Sequence, residues 1–231
     1  MARPRARARC RPTGWWRPAA AGSLAAIAAI AALCPSVALT QARRAAAGPS
    51  GVKVLIDSKK PRTAKPDSGL HTLEFCLNCP DPHLEGTQTM ALGAVHGPTE
   101  YRVSGDLVMM VPNDIAGARL LNVEELVGRV ALVDRGVVPL VDKVLAAQKA
   151  GAIGVVIADD GNCTDLYECG RVGSPKHGGF SGRDPWQLWM KVEIPSLLVM
   201  ADVGDRLKRM MKLERIFIPG IGEQWAPSLR R

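Results

Sequence analysis

Residues 128–158 limit the possible folds more than any other part of the chain. Residues 128–134 and 153–158 are short apolar runs rich in valine and other aliphatic residues. Between them, residues 140–150 carry apolar side chains at helical spacing and end at Gly151, a residue favoured just after a helix. The pattern predicts a β-α-β unit, in which two parallel strands are joined by a right-handed crossover.

Extended runs punctuated by turns predict further strands on both sides of this unit. These runs are residues 52–56, 70–75, 89–95 and 101–111 before it, and 196–200 and 215–218 after it. A second amphipathic helix is predicted from Asp202, a good N-cap residue, to about Leu213. We therefore expect a mixed α/β (α+β) fold.

The formal net charge of +8 does not indicate nucleic-acid binding, because of where the charges lie. Residues 1–50 contain eight arginines and no acidic residue, so residues 51–231 sum to zero. A nucleic-acid-binding domain is expected to keep a basic face on its folded part. We therefore expect no nucleic-acid partner. The composition, 47% hydrophobic and 23% charged, is that of a globular protein.

Residues 1–42 have the order of a secretory signal peptide. Six arginines precede an uncharged apolar run at residues 19–33, and small residues then predict cleavage after Ala42 or Ala38. The run is shorter than the roughly 20 residues that a membrane-spanning helix needs. An uncleaved signal anchor and an organelle transit peptide are the alternatives. We expect the protein in the secretory lumen or outside the cell, and at a membrane only if this segment stays uncleaved.

The four cysteines that remain after cleavage predict disulfides. Cys76, Cys79, Cys163 and Cys169 form an even set, which in an exported protein indicates two bridges with three possible connectivities. A zinc site is the alternative, because two residues separate Cys76 from Cys79. Five residues separate the other two cysteines, which is too many for that pattern, so disulfides are favoured.

Residues 159–193 form a long connection that carries candidate modification and contact residues. Asn162 begins the Asn-x-Thr triplet that makes it an N-glycosylation candidate. Trp186 and Trp189 are three residues apart, so both rings share one face of a helical turn. An exposed pair would be a candidate contact for a partner, whereas a buried pair would plug the edge of the sheet.

Catalytic motifs are not found in the sequence. It has no G-x-S-x-G, H-E-x-x-H or Walker pattern, and His177-Gly178-Gly179 with Ser181 has nothing to complete a triad. Asp159-Asp160 is more typical of a polar strand exit than of a catalytic pair. We expect no catalytic residue, cofactor or metal. The four histidines lie in loop-like stretches and are predicted to be solvated, namely His71, His83, His96 and His177.

The order of an apolar strand, an Arg-Gly turn, a helix, a second apolar strand and an Ile-Pro strand resembles the protease-associated (PA) domain family. The resemblance covers roughly residues 85–215. It rests on Arg135, Gly136, Lys143, Ala147, Gln148, Ala150, Gly151, Ala152, Ile194 and Pro195. Val138 and Leu140 stand where the family often has a cysteine and an aromatic residue. With Gly117-Ala118 at the place of the partner cysteine, the family's usual bridge is absent.

The resemblance implies a β-sandwich or open barrel with short flanking helices, and a module without catalysis of its own. We expect a non-catalytic PA-domain protein of the secretory pathway that mediates protein–protein interaction or recognises substrate or cargo. The alternatives are an accessory or truncated part of a mannosidase-like or peptidase-like secretory hydrolase, and a membrane-tethered sorting receptor. The predicted divisions are a signal peptide or anchor at 1–42, a linker at 43–69, the PA-like domain at 70–219 and a tail at 220–231.

Overall fold

The computed structural model describes residues 50–59, 69–113, 119–166, 185–218 and 220–227, without the side chains of residues 185 and 186. The strands in these residues are β1 (Val52–Asp57), β2 (Leu70–Leu77), β3 (Thr87–Gly93), β4 (Arg102–Met109), β5 (Val130–Asp134), β6 (Gly154–Ala158), β7 (Ser196–Val199), β8 (Leu213–Ile218) and β9 (Gly222–Pro227). The helices are α1 (Pro82–Glu85), α2 (Val123–Leu126), α3 (Leu140–Lys149), α4 (Pro185–Trp189) and α5 (Ala201–Met210).

Strands β1 to β7 form a closed barrel in the order β1-β2-β3-β7-β6-β5-β4. The pairs from β4 to β7 are parallel, and the pairs that involve β1, β2 or β3 are antiparallel. The predicted β-α-β unit is confirmed, because α3 connects β5 to β6 and these strands pair in parallel. The predicted mixed α/β class with short helices is confirmed as well, and the sheet closes on itself.

Alternation along the strands separates two apolar layers. On β5, Val130 and Leu132 belong to the layer inside the barrel, whereas Ala131 and Val133 belong to the layer outside it. The inner layer continues with residues such as Val54, Ile56, Leu73, Phe75 and Leu107. Helix α3 contributes Val141, Val144 and Ala147 to the outer layer. Both faces of these strands are therefore buried, which explains why they appear in the sequence as continuous apolar runs.

Two segments assigned outside the domain are part of it. Residues 52–57 of the predicted linker form β1, which pairs with both β2 and β4. Residues 222–227 of the predicted tail form β9, which pairs antiparallel with β8. Residues 52–56 were predicted as a strand, but their Ala-, Pro- and Lys-rich surroundings led to the assignment as a linker, which is wrong. The assignment of β9 to a tail is wrong because this strand pairs with β8 alone among the described strands, so its role depends on the hairpin.

The N-cap of helix α5 lies two residues earlier than predicted. Met200 is its N-cap residue and makes no side-chain capping bond, so the prediction of Asp202 as N-cap is wrong. Asp202 lies instead in the first helical turn, where a negative charge still interacts favourably with the helix dipole. The end of α3 agrees with the prediction, because Gly151 has a φ of +87°.

Cysteines of the described residues are oxidised. Cys76 is bonded to Cys79, which excludes zinc ligation by this pair. Cys163 is also disulfide-bonded. Cys169 and the predicted signal segment lie outside the described residues. Disulfides persist in oxidising compartments, which is compatible with a lumenal or extracellular domain. Among the described residues, no helix is both long and apolar enough to cross a lipid bilayer.

Candidate functional site

Charged residues collect at the carboxyl ends of the parallel strands. Strand β5 ends at Asp134 and continues into residues 135–139, which we call the β5 loop. Strand β6 is followed directly by Asp159-Asp160. Because the carboxyl ends of parallel strands meet at one edge, these residues come together where α/β proteins most often bind ligands.

A buried ion pair forms the base of the β5 loop. Arg135 Nη1 lies 2.8 Å from Oδ1 of Asp159, whose side chain is fully buried. The other carboxylate oxygen accepts hydrogen bonds from the backbone N–H groups of Gly161 and Cys163, at 2.9 and 3.2 Å. Burial alone would raise the pKa of Asp159, but the bond from Arg135 and the two backbone bonds together lower it. The carboxylate therefore stays ionised at neutral pH.

A second set of polar contacts holds the other side of the loop. Lys208 Nζ on α5 lies 2.6 Å from Asp134 Oδ1. Lys143 is fully buried on α3 and donates to the carbonyl oxygen of Asp134 at 2.5 Å. The backbone N–H of Asp134 donates to Asn113 Oδ1, and the N–H of Asn113 donates to Gln224 Oε1 on β9. Strand β5, helices α3 and α5, and the β8–β9 hairpin are thus tied together beneath the loop.

The tip of the β5 loop is an exposed valine in a strained conformation. Val137 has a φ of +60° and its side chain is 84% exposed. Positive φ in a β-branched residue is a genuine outlier and costs on the order of 1–2 kcal/mol. Such strain persists only where the surrounding structure imposes it, and it occurs preferentially at functional sites.

Two cavities lie on either side of Val137. The first has a volume of about 180 Å³ and is lined by Asn113, Asp134, Val137, Arg215, Glu223, Gln224 and Trp225. The second has a volume of about 370 Å³ and is lined by residues 135–140 together with Asp160. In the first cavity the Trp225 ring lies 5.0 Å from both Lys208 Nζ and the Arg215 guanidinium carbon. Tryptophan and arginine often dominate the energetics of protein contacts.

The charged groups around the loop pair with one another. Arg135 faces Asp159 and, at 3.9 Å, Asp160, while Lys208 faces Asp134. Within the described ranges, no three His, Cys, Asp or Glu side chains are grouped so that they could hold a metal ion. The arrangement is suited to presenting an apolar tip between two cavities that have both polar and apolar walls.

His96 and Trp189 meet at the opposite, amino end of the parallel strands. The His96 side chain was predicted to be solvated, but it is 4% exposed and its ring centroid lies 6.2 Å from that of Trp189. Desolvation lowers the pKa of His96 to about 4. Trp189 is half-buried against the outer apolar layer. The side chain of Trp186 lies outside the described residues.

The two other described histidines, His71 and His83, each contact one polar side chain. His71 lies on β2, and its Nδ1 is 2.7 Å from the Tyr101 hydroxyl, so the loop assignment is wrong for it. His83 is half-exposed and its Nδ1 lies 2.8 Å from Glu74 Oε2. His177, like Ser181, lies outside the described residues.

Some residues of the PA-like motif lie at the β5 loop, and others hold the helices and strands together away from it. Arg135 and Gly136 belong to the β5 loop, and Lys143 donates a hydrogen bond to the carbonyl oxygen of Asp134 just before it. Gln148 instead accepts a hydrogen bond from the backbone N–H of Glu193 at 2.7 Å and donates to the carbonyl of Lys191, which fastens α3 to the segment before β7. The last two motif positions, Ile194 and Pro195, lead into β7, and the Pro195 carbonyl accepts from Val155 at 2.9 Å.

Sequence reasoning missed Val137, Lys208 and Trp225 as site residues. Val137 could have been found from its position just after the carboxyl end of a predicted parallel strand. Lys208 and Trp225 had no comparable signal, because they reach the loop only through the packing of α5 and the β8–β9 hairpin.

Comparison with known proteins identifies a domain family for part of the chain. Residues 103–207 match the family model of the PA domain. No curated protein matches the chain. One similar solved structure is the aminopeptidase from Aneurinibacillus sp. strain AM-1, with 15% identity and a TM-score of 0.38; the similarity covers 84% of this chain and 37% of that one. The residues that match the family model run from β4 into α5 and include the β5 loop. The chain therefore carries a PA domain at residues 103–207.

Proposed function

We propose that this chain is a non-catalytic PA-domain protein of the secretory pathway, and that it recognises a partner protein through the β5 loop. The observation that carries the proposal is Val137, an apolar side chain held exposed on strained backbone between two cavities. Strain of this kind is retained where it serves binding or catalysis. An apolar tip favours binding.

Electrostatics of the site also favour contact over chemistry. Arg135 and Lys208 carry their own counterions beneath the loop, so the loop offers a partner mainly shape and apolar surface. Burying Val137 in a partner would contribute about 1.5 kcal/mol, and Trp225 with Arg215 offers a second contact at the first cavity. A protein segment that fills the cavities on both sides of Val137 fits this surface.

The proposed compartment is supported by two independent features. Residues 1–42 have the order of a signal peptide, and the Cys76–Cys79 disulfide is of a kind that persists in oxidising surroundings. The proposed partner is therefore a protein of the secretory lumen or the extracellular space.

Site-specific photocrosslinking in secreting cells tests the proposal. A photoreactive amino acid would replace Val137 in one variant and Val127 in the control. Val127 is 62% exposed and lies before the opposite end of β5, so it matches the residue type but not the site. We expect a discrete crosslinked protein from position 137 and none from position 127. Equal crosslinking at both positions would contradict the proposed site. Hydrolysis of a defined substrate that depends on one polar residue would contradict the non-catalytic role.

A further inference from the structure

The side-chain amide of Asn162 is hydrogen-bonded within the turn at residues 159–163. Asn162 Nδ2 donates to Asp160 Oδ2 at 2.7 Å, and the backbone N–H of Asn162 lies 3.3 Å from Asp160 Oδ1. Asp159 Oδ2 accepts hydrogen bonds from the backbone N–H groups of Gly161 and Cys163, on either side of Asn162. The nitrogen that would receive a glycan is therefore engaged in the folded protein, although the Asn162 side chain lies at the surface.

Two links close this turn. Arg135 Nη1 lies 2.8 Å from Asp159 Oδ1 and 3.0 Å from Cys163 Sγ, so one guanidinium reaches both ends of the turn. Cys163 also takes part in a disulfide. Cys163 is the middle residue of the acceptor triplet that Asn162 begins and Thr164 ends. The disulfide thus constrains the same three residues that glycosylation must reach.

We propose that Asn162 accepts an N-glycan only before Cys163 forms its disulfide, so that the two modifications compete for one turn. The inference rests on the proposed secretory compartment. Once the turn has closed, its hydrogen bonds hold Nδ2, and the disulfide prevents the triplet from opening. A chain that folds first would remain unglycosylated, and both forms would be secreted.

Each step has a co-reactant in the proposed compartment, a glycosyl donor for the glycan and an electron acceptor for the disulfide. Asn162 Nδ2 attacks the anomeric carbon of an oligosaccharide carried on a lipid pyrophosphate. The N–C bond forms, the C–O bond breaks, the pyrophosphate leaves with the bonding electrons, and Nδ2 gives one proton to a base. For the disulfide, Cys163 and its partner thiol lose two electrons and two protons to the disulfide of a lumenal oxidoreductase.

A glycan on Asn162 would restrict access to the proposed binding site. Asp160, which accepts the bond from Asn162 Nδ2, also lines the 370 Å³ cavity beside Val137. A bulky glycan would therefore begin at the rim of that cavity. The glycosylated form would have a crowded cavity and the unglycosylated form an accessible one.

The fraction of chains glycosylated at Asn162 tests the inference. The full chain would be expressed in cells that perform N-glycosylation, and each variant analysed by its mass before and after treatment with an N-glycosidase. We expect partial occupancy in the wild type and none in T164A, which destroys the triplet. C163S keeps the triplet but removes the disulfide, so occupancy should rise towards completion. Because the readout is made on total chains, it does not require the variant to fold.

Two control variants distinguish a local effect at Asn162 from general effects on folding or on the compartment. C76S/C79S removes the other disulfide and should leave occupancy at Asn162 unchanged, which separates a local effect from slower folding in general. E85N creates an acceptor triplet at residues 85–87, on exposed helix α1, and reports whether the chain meets the glycosylation machinery at all.

Four results would overturn the inference. Full occupancy of Asn162 in the wild type would exclude competition, as would an equal rise in C163S and C76S/C79S. An unmodified Asn162 in both the wild type and C163S, with a glycan on E85N, would also reject the inference while the proposed compartment stands. If E85N also stays unmodified, the compartment fails and the inference with it.

Discussion

The two ends of the barrel are stabilised by opposite means. At the carboxyl end of the parallel strands, the buried pair of Arg135 and Asp159 holds an exposed loop in a strained conformation. At the amino end, His96 is buried as a neutral ring beside Trp189. One end keeps charges by pairing them, and the other end suppresses a charge by desolvation.

This difference places the acid sensitivity of the two ends in separate pH ranges. His96 has a depressed pKa, so the unfolded chain binds a proton below its ordinary value of 6.5 and the folded chain only near 4. Stability contributed by the neutral ring is therefore lost between these two values. The lowered pKa of Asp159 gives stability that is present above its ordinary value of 3.8 and is lost as the pH falls further.

The largest effect is expected from Arg135→Ala. The substitution leaves the buried Asp159 carboxylate without its cation, which costs on the order of 3–5 kcal/mol in the free energy of unfolding. Urea denaturation at neutral pH measures this loss. Arg215→Ala is the control, because its ion pair with Glu223 is largely exposed and should contribute only about 0.5 kcal/mol. Equal losses in the two variants would mean that the carboxyl end does not depend on its buried pair.

A smaller effect is expected at the amino end on acidification. The free energy of unfolding of the wild type should fall between pH 6.5 and about 4, and the part due to His96 is on the order of 3 kcal/mol. His96→Phe removes the titrating group, so the free energy of unfolding of the variant should lack the His96 part of this fall between pH 6.5 and about 4. His83→Gln, at a half-exposed histidine, should keep the wild-type profile. A His96→Phe protein with an unchanged profile would refute the desolvated ring.

The smallest effect concerns the strain in the β5 loop. Val137→Gly should stabilise the protein by about 1 kcal/mol, because glycine adopts positive φ without steric cost. It should also weaken partner crosslinking from neighbouring loop positions, since the apolar tip is lost. In the control Val127→Gly the φ of −60° contains no such strain, so stability should decrease slightly. A destabilised Val137→Gly protein would show that the conformation is not strained.

Local sequence patterns were sufficient to predict most helices and strands, but not the distant segments with which they pair or pack. The β-α-β unit was predictable because its strands are buried on both faces and its helix has one apolar face, both of which are visible in a short stretch of sequence. Strand β1 was assigned to a linker, although its residues were recognised as extended, because its role depends on pairing with β4 far along the chain. His96 was misjudged for the same reason, since α4 packs over it from a distant segment.

Periodicity, turn residues and cysteine count thus determined the class of fold, the family motif and the oxidised state of Cys76 and Cys79. The tertiary structure alone decided that the barrel closes, that Lys208 and Trp225 reach the β5 loop, and that Val137 is held exposed between two cavities. Hydrophobic periodicity is a property of neighbouring residues, whereas a cavity and a buried ion pair exist only where distant segments converge.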